Sequence, residues 1–133
     1  MVDILIDNHR CFACGKENPD GLQLKFKYSE NGSKAETTYI PPEKFQGWKD
    51  IVHGGIITTL LDELMAKTAI KNGYQVLTGE ITTRFKNPAK TLEPLHCIAE
   101  IEKANKKILY VKGIAYNKKR EIVAESRSKM III

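Results

Sequence analysis

The chain has 133 residues, 42% of them hydrophobic and 28% charged, and a formal net charge of +5. That composition fits one soluble domain over residues 1–133 and excludes a disordered polymer. No apolar run approaches the roughly 20 residues that cross a bilayer. The opening Met1-Val2-Asp3-Ile4-Leu5-Ile6-Asp7 also carries acids where a secretory leader carries bases, so a cytoplasmic protein without a membrane partner is expected.

Taken in chain order, residues 1–21 are rich in turn formers (Asn8, Gly15, Asn18, Pro19, Asp20, Gly21) and read as an irregular N-terminal extension. Residues 22–28 alternate apolar and polar with period two, which predicts a half-buried strand. Asn31-Gly32 is a two-residue hairpin turn signal, and residues 33–40 return as its partner until Pro41-Pro42 stops them. A loop containing Phe45-Gln46-Gly47-Trp48 leads into His53-Gly54-Gly55 and then into one helix over about 55–72, closed by Gly73. Ile57, Leu60, Leu61, Leu64, Met65 and Thr68 form its buried stripe. Strands follow at about 75–87, 95–104, 108–117 and 121–131. The order β-β-α-β-β-β-β, one long helix against a largely antiparallel sheet, is an α+β architecture. The positive charge is scattered along this pattern. Its densest run, Lys118-Lys119-Arg120, reads as a solvated hairpin turn, and with no aromatic-plus-basic strand beside it no nucleic-acid partner is expected.

The chemistry concentrates where the helix begins. Gly54 and Gly55 present peptide N–H groups at a positive dipole end, with no side chain to keep a carbonyl away. Asp62 lies about two turns on, near Gly54, Thr58, Ala66 and Ala69 on the small-residue flank and away from the Ile57/Leu64 stripe. A carboxylate there suits a cleft shared with another subunit. Glu63 points a further 100° round and is the poorer candidate. His53 reads as a residue that fixes the loop rather than one that moves a proton.

Three separated motifs carry a resemblance: Cys11-Phe12-Ala13-Cys14-Gly15-Lys16-Glu17-Asn18-Pro19-Asp20-Gly21-Leu22, the segment from His53-Gly54-Gly55 to Asp62, and Thr78-Gly79-Glu80-Ile81-Thr82-Thr83-Arg84-Phe85-Lys86-Asn87-Pro88-Ala89. In this order they resemble the phenylacetic-acid-degradation (PaaI-like) branch of the 4-hydroxybenzoyl-CoA thioesterase superfamily. The resemblance implies a hotdog fold, a sheet wrapped around one helix, that hydrolyses an acyl- or aryl-CoA to free acid and CoA. CoA enters as part of the substrate and no separate cofactor is implied. Asp62 would be the nucleophile or the base that activates water, and Gly54 would give its N–H to the thioester carbonyl. Thr78 would reach across from the partner subunit to place the water or the Asp. Gln46 is the nearest fit to the Asn or Gln that assists in many members, Gly47 standing where some relatives carry Asn.

His53, Gly55, Thr82 and Arg84 complete the expected substrate-binding set. Thr82, Arg84 and Lys86 are expected to share a strand face with Thr78, either guiding the pantetheine arm and CoA phosphates or forming an exposed polar face, while Ile81, Thr83 and Phe85 face the core. Cys11-x-x-Cys14 with His9 invites zinc, but one CxxC gives two of four ligands, and His96-Cys97 turn to opposite strand faces. No metal is expected, and the cysteines are read as packed near the sheet edge. A lone protomer would expose a sheet edge and one helix flank, which predicts a homodimer, extended by the resemblance to a homotetramer of two dimers. Its two clefts would each combine Gly54 and Asp62 of one chain with Thr78 of the other. The apolar ending Met130-Ile131-Ile132-Ile133 fits a strand buried at such a contact. Two rivals share the fold: a non-catalytic acyl-CoA sensor, and an enoyl-thioester hydratase or dehydratase working through a catalytic His.

Overall fold

A computed structural model describes residues 5–133; the first four residues of the acidic opening lie outside them. Within that range the elements are β1 (Lys27–Tyr28), β2 (Lys34–Tyr39), a 3₁₀ turn (Glu43–Phe45), α1 (Gly54–Lys71), β3 (Val76–Phe85), β4 (Leu95–Ala104), β5 (Ile108–Tyr116) and β6 (Ile122–Ile132). The six strands form one antiparallel sheet in the order β1-β2-β4-β5-β6-β3. The sheet curls around α1, which packs against β2 through β6. This is the hotdog arrangement.

The helix is held by its apolar stripe. Ile57, Leu60, Leu61, Leu64, Met65, Thr68 and Ala69 are buried, the six expected residues and one more. At Gly113 on β5 a Cβ would lie 3.3 Å from Leu61 and 3.4 Å from Met65, so a bare backbone is what lets the helix seat this closely. Gly73 adopts φ +89° immediately beyond the helix C-cap, as a helix stop requires. None of the helices in the described residues is long and apolar enough to cross a membrane. The Lys118-Lys119-Arg120 run does form the β5–β6 turn, with Arg120 N–H donating to Asn117 O at 2.9 Å and Arg120 at φ +65°.

The N-terminal third differs from expectation. Only Lys27–Tyr28 of the expected 22–28 strand pairs with β2. Gln23 sits at φ +53°, and the N–H groups of Leu22 and Leu24 donate instead to Phe12 O and Ala13 O at 2.9 and 3.0 Å. The alternation of residues 22–26 therefore serves a tucked extension: Leu22 and Leu24 join Ala13 in the core.

β3 positions the site. It is an edge strand, bonded to β6 alone, and its ladder slips between Thr78 and Glu80. Gly79 is the extra residue of a β-bulge. Before the bulge Val76 and Thr78 face the helix. After it Ile81, Thr83 and Phe85 do, opposite the buried Ser128, Ser126 and Ala124. Thr82 and Arg84 consequently stand on the outer face with Glu80. The expectation that they share a face with Thr78 is overturned, because the inserted glycine shifts the two-residue period by one.

Candidate active site

His53 caps α1 with φ −61° and ψ 133°, and its Nδ1 accepts from Gly55 N–H at 2.9 Å. Nδ1 therefore carries no proton in this arrangement, and the ring's proton sits on Nε2. The cap consumes one of the two glycine donors. Gly54 N–H finds no acceptor among the described residues, so the helix start offers one free donor where the sequence suggested a pair. Beside it lies Phe85, whose ring would be 3.3 Å from a Cβ at Gly54.

The preceding loop is braced by its own backbone. His53 N–H donates to Phe45 O and Val52 N–H to Ala89 O, at 2.9 and 2.8 Å. Gln46 takes part in this bracing: its Oε1 accepts from Asp50 N–H at 3.0 Å, holding Asp50 at φ +63°. It makes no hydrogen bond to Gly54, Asp62 or Thr78. The structure thus assigns the Gln46 carbonyl oxygen a place in the loop's architecture.

Asp62 is part-buried on the helix flank that faces β3. Thr78 Oγ1 donates to Asp62 Oδ1 at 2.7 Å within one chain. This corrects the expectation that Thr78 serves the Asp62 of a partner: the turn after Gly73 brings β3 back along its own helix, and the bulge turns Thr78 inward. Asp62 Oδ2 accepts no hydrogen bond from any described residue. The structure therefore joins Asp62 to Thr78, leaves Gly54 with a free donor, commits Gly55 to His53 and Gln46 to Asp50, and puts Thr82 and Arg84 on the opposite sheet face. That outer face carries a depression of about 640 Å³ lined by Glu80, Thr82, Arg84 and Glu102 among others, remote from the carboxylate.

Two features escaped sequence reasoning. The bulge had a signal, since an isolated glycine inside a strand pattern marks an irregular ladder. Glu63 had none in the helical pattern. It meets the N-terminal extension, where Cys11 Sγ lies 3.9 Å from each of its carboxylate oxygens. Burial first, then Glu63, push the Cys14 thiol up to about 12, and burial alone pushes Cys97 up to about 12. The protonated thiols of these two cysteines are poor nucleophiles.

The fold and the sequence have counterparts. Over 121 residues the chain is 24% identical to the human acyl-coenzyme A thioesterase THEM5, which covers 90% of this chain but 48% of that protein. The chain thus spans about half the length of the curated relatives it matches. Among solved structures, the Escherichia coli PaaI protein superposes with a TM-score of 0.77 at 20% identity, covering 84% of this chain and 80% of that one. A Streptococcus mutans protein bound to acetyl-CoA superposes with a TM-score of 0.77 at 17% identity, covering 83% and 88%. Residues 49–124, which run from the turn before the helix cap through Asp62 and Thr78 into β6, match the family model of the thioesterase superfamily, and to that superfamily the chain belongs.

Proposed function

We propose that this chain is a thioester hydrolase that cleaves an acyl-CoA to free acid and CoA. The observation that carries the reading is the 2.7 Å hydrogen bond from Thr78 to Asp62. It fixes one carboxylate oxygen and leaves the other with its lone pairs, able to attack a thioester carbonyl or to take a proton from water. The free N–H of Gly54, at the positive end of the helix, supplies the donor for the developing oxyanion. The human relative's activity and the acetyl-CoA held by the streptococcal protein support the acyl-CoA class. The hydratase alternative needs a histidine that moves a proton; the Nδ1 of His53 is engaged in the helix cap, which leaves only Nε2 for that role.

The spacing of these groups supports a site built from two chains. Gly54 and Asp62 are eight residues apart in one helix, about 12 Å along the axis. A nucleophile in contact with the carbonyl carbon and a donor on its oxygen together span at most about 8 Å. One helix cannot bracket the same thioester with both. A two-fold partner running antiparallel brings Gly54 of one chain beside Asp62 and Thr78 of the other. The free edge of β3 supports that partner: one side of a ten-residue strand is unpaired, with Leu77 and Phe85 about half exposed. Joining two β3 strands across the axis makes one continuous sheet and a homodimer, which pairs again into a homotetramer. The three free cysteines suit a reducing, cytoplasmic setting.

The test is thiol release from a panel of acyl- and aryl-CoA substrates by the purified chain. Turnover is expected on at least one of them, and Asp62→Asn and Asp62→Ala are expected to lower kcat by at least about a hundredfold with the fold intact. Unchanged rates in both variants would remove Asp62 from the reaction. Binding of the same substrates without any thiol release would leave a sensor.

A further inference from the structure

We propose that Cys11, Cys14 and Glu63 form a zinc site that pins the N-terminal extension to α1. The sequence expectation counted ligands from the CxxC, His9 and the distant His96-Cys97 pair. It did not include Glu63, whose place beside the cysteines depends on how the extension folds over the helix. The two Sγ atoms and a Glu63 carboxylate oxygen all lie within 4.8 Å of one another. Ligands of a tetrahedral zinc, at about 2.3 Å for sulfur and 2.0–2.2 Å for oxygen, stand roughly 3.5–3.8 Å apart. Closing the set needs only small rotations about side-chain bonds.

The backbone is shaped for sulfur ligands. Gly15 N–H donates to Cys11 O at 2.8 Å, closing a turn around the pair, and Ala13 N–H donates to Cys11 Sγ at 3.4 Å. An N–H aimed at sulfur stabilises the thiolate that a metal requires. Gly15 is obligatory here, because a Cβ would fall 2.5 Å from Cys11 N and 2.6 Å from His9 O. Two cysteines separated by two residues and followed by a glycine thus form a compact turn at the margin of the core, part-buried and with the Cys11 sulfur turned to Glu63.

Charge selects the ion. Two thiolates and a carboxylate carry −3. A divalent cation and Lys67, one helical turn from Glu63 and lining the same depression as Cys14, return the cluster to neutrality. A part-buried site needs that balance. Soft thiolates with one oxygen in tetrahedral arrangement favour zinc over magnesium or calcium. Cys14 also lines a depression with Asp7 and His9, from which water or the imidazole completes four-coordination. Binding releases the two thiol protons to solvent and forms two S–Zn bonds and one O–Zn bond, with no change of oxidation state. Because Glu63 directly follows Asp62, the ion fixes the helical turn that carries the catalytic carboxylate.

The experiment uses the full chain, purified without chelator, with metal content measured by plasma mass spectrometry. One zinc ion per chain is expected, falling by about tenfold or more in Glu63→Gln and in Cys14→Ser, while Cys97→Ser retains it. Should the cysteine variant fail to fold, cobalt decides: the metal-stripped wild type given Co²⁺ is expected to show thiolate-to-cobalt charge transfer and tetrahedral ligand-field bands, altered in Glu63→Gln. A wild-type chain that purifies without zinc and binds neither ion would overturn the site. So would a mass short of two hydrogens, reporting a Cys11–Cys14 disulfide in the protein as purified.

Discussion

Asp62 and Glu63 are neighbours in one helix, both carboxylates, both part-buried, and they meet different chemistry. Asp62 faces β3 and receives a single neutral donor, the Thr78 hydroxyl. It makes no ion pair among the described residues. Glu63, 100° further round the helix, faces the extension and stands among two cysteine sulfurs, with Lys67 one turn on. A carboxylate held by one neutral hydrogen bond keeps a lone pair and its negative charge for a reaction. One surrounded by thiols and a cation is a ligand or a strut. The helix supplies the same functional group twice, and the element packed beside each copy decides its use.

That contrast breaks most sharply at the donor paired with Asp62. Gly54→Pro deletes the N–H at the first helical position, where proline is tolerated, and His53 already has the extended backbone that precedes a proline. The expected loss in kcat/KM is about a hundred- to thousandfold. Gly54→Ala keeps the N–H and must only displace the exposed ring of Phe85, so it separates the donor from the added carbon. Mixing chains then tells which subunit serves which. A heterodimer of Gly54→Pro with Asp62→Asn has one intact cleft if the donor and the carboxylate come from different chains, and about half the wild-type activity should return from two inactive parents. If both come from one helix, no cleft is intact and nothing returns.

Thr78 should matter less. It touches Asp62 rather than any reacting atom, so it is a positioning residue. Thr78→Val removes a hydrogen bond to a charged group, commonly about 1.5–3 kcal/mol, and kcat is expected to fall by roughly ten- to a hundredfold with KM little changed. Thr78→Ser should restore most of it. A rise in KM without loss of kcat would place the hydroxyl on the substrate instead.

What was legible in the chain follows from which interactions are local. The buried stripe from Ile57 to Thr68 and the stop at Gly73 each depend on neighbours within a few residues, and each appears as read. The candidate pair Gly54 and Asp62 was visible for the same reason. The Asn31-Gly32 signal does mark a reversal, but Gly32 N–H closes it on Ser29 O around Glu30 and Asn31, in a loop longer than the two residues expected. Contacts made across the fold were not. Thr78 was assigned to a partner chain because sequence cannot show a β-strand folding back along its own helix. Thr82 and Arg84 were placed by counting in twos, which fails when Gly79 adds a residue to the ladder. Residues 22–26 alternate as a strand does, yet the N–H groups of Leu22 and Leu24 are claimed by Phe12 and Ala13. Glu63 looked idle because its partners lie 52 and 49 residues away in sequence.

The smallest effect tests whether His53 belongs to the reaction at all. As a cap it satisfies Gly55 N–H and leaves Gly54 N–H outward, so His53→Ala should cost about 1 kcal/mol, lowering Tm by roughly 3–5 °C for a chain of this length. Asparagine and aspartate also accept at a helix start, and His53→Asn should recover both stability and turnover. Proton transfer by the imidazole predicts a different split, with His53→Asn as stable as wild type but slow. The cap geometry favours recovery, since the nitrogen that faces the helix is already occupied by the hydrogen bond it accepts.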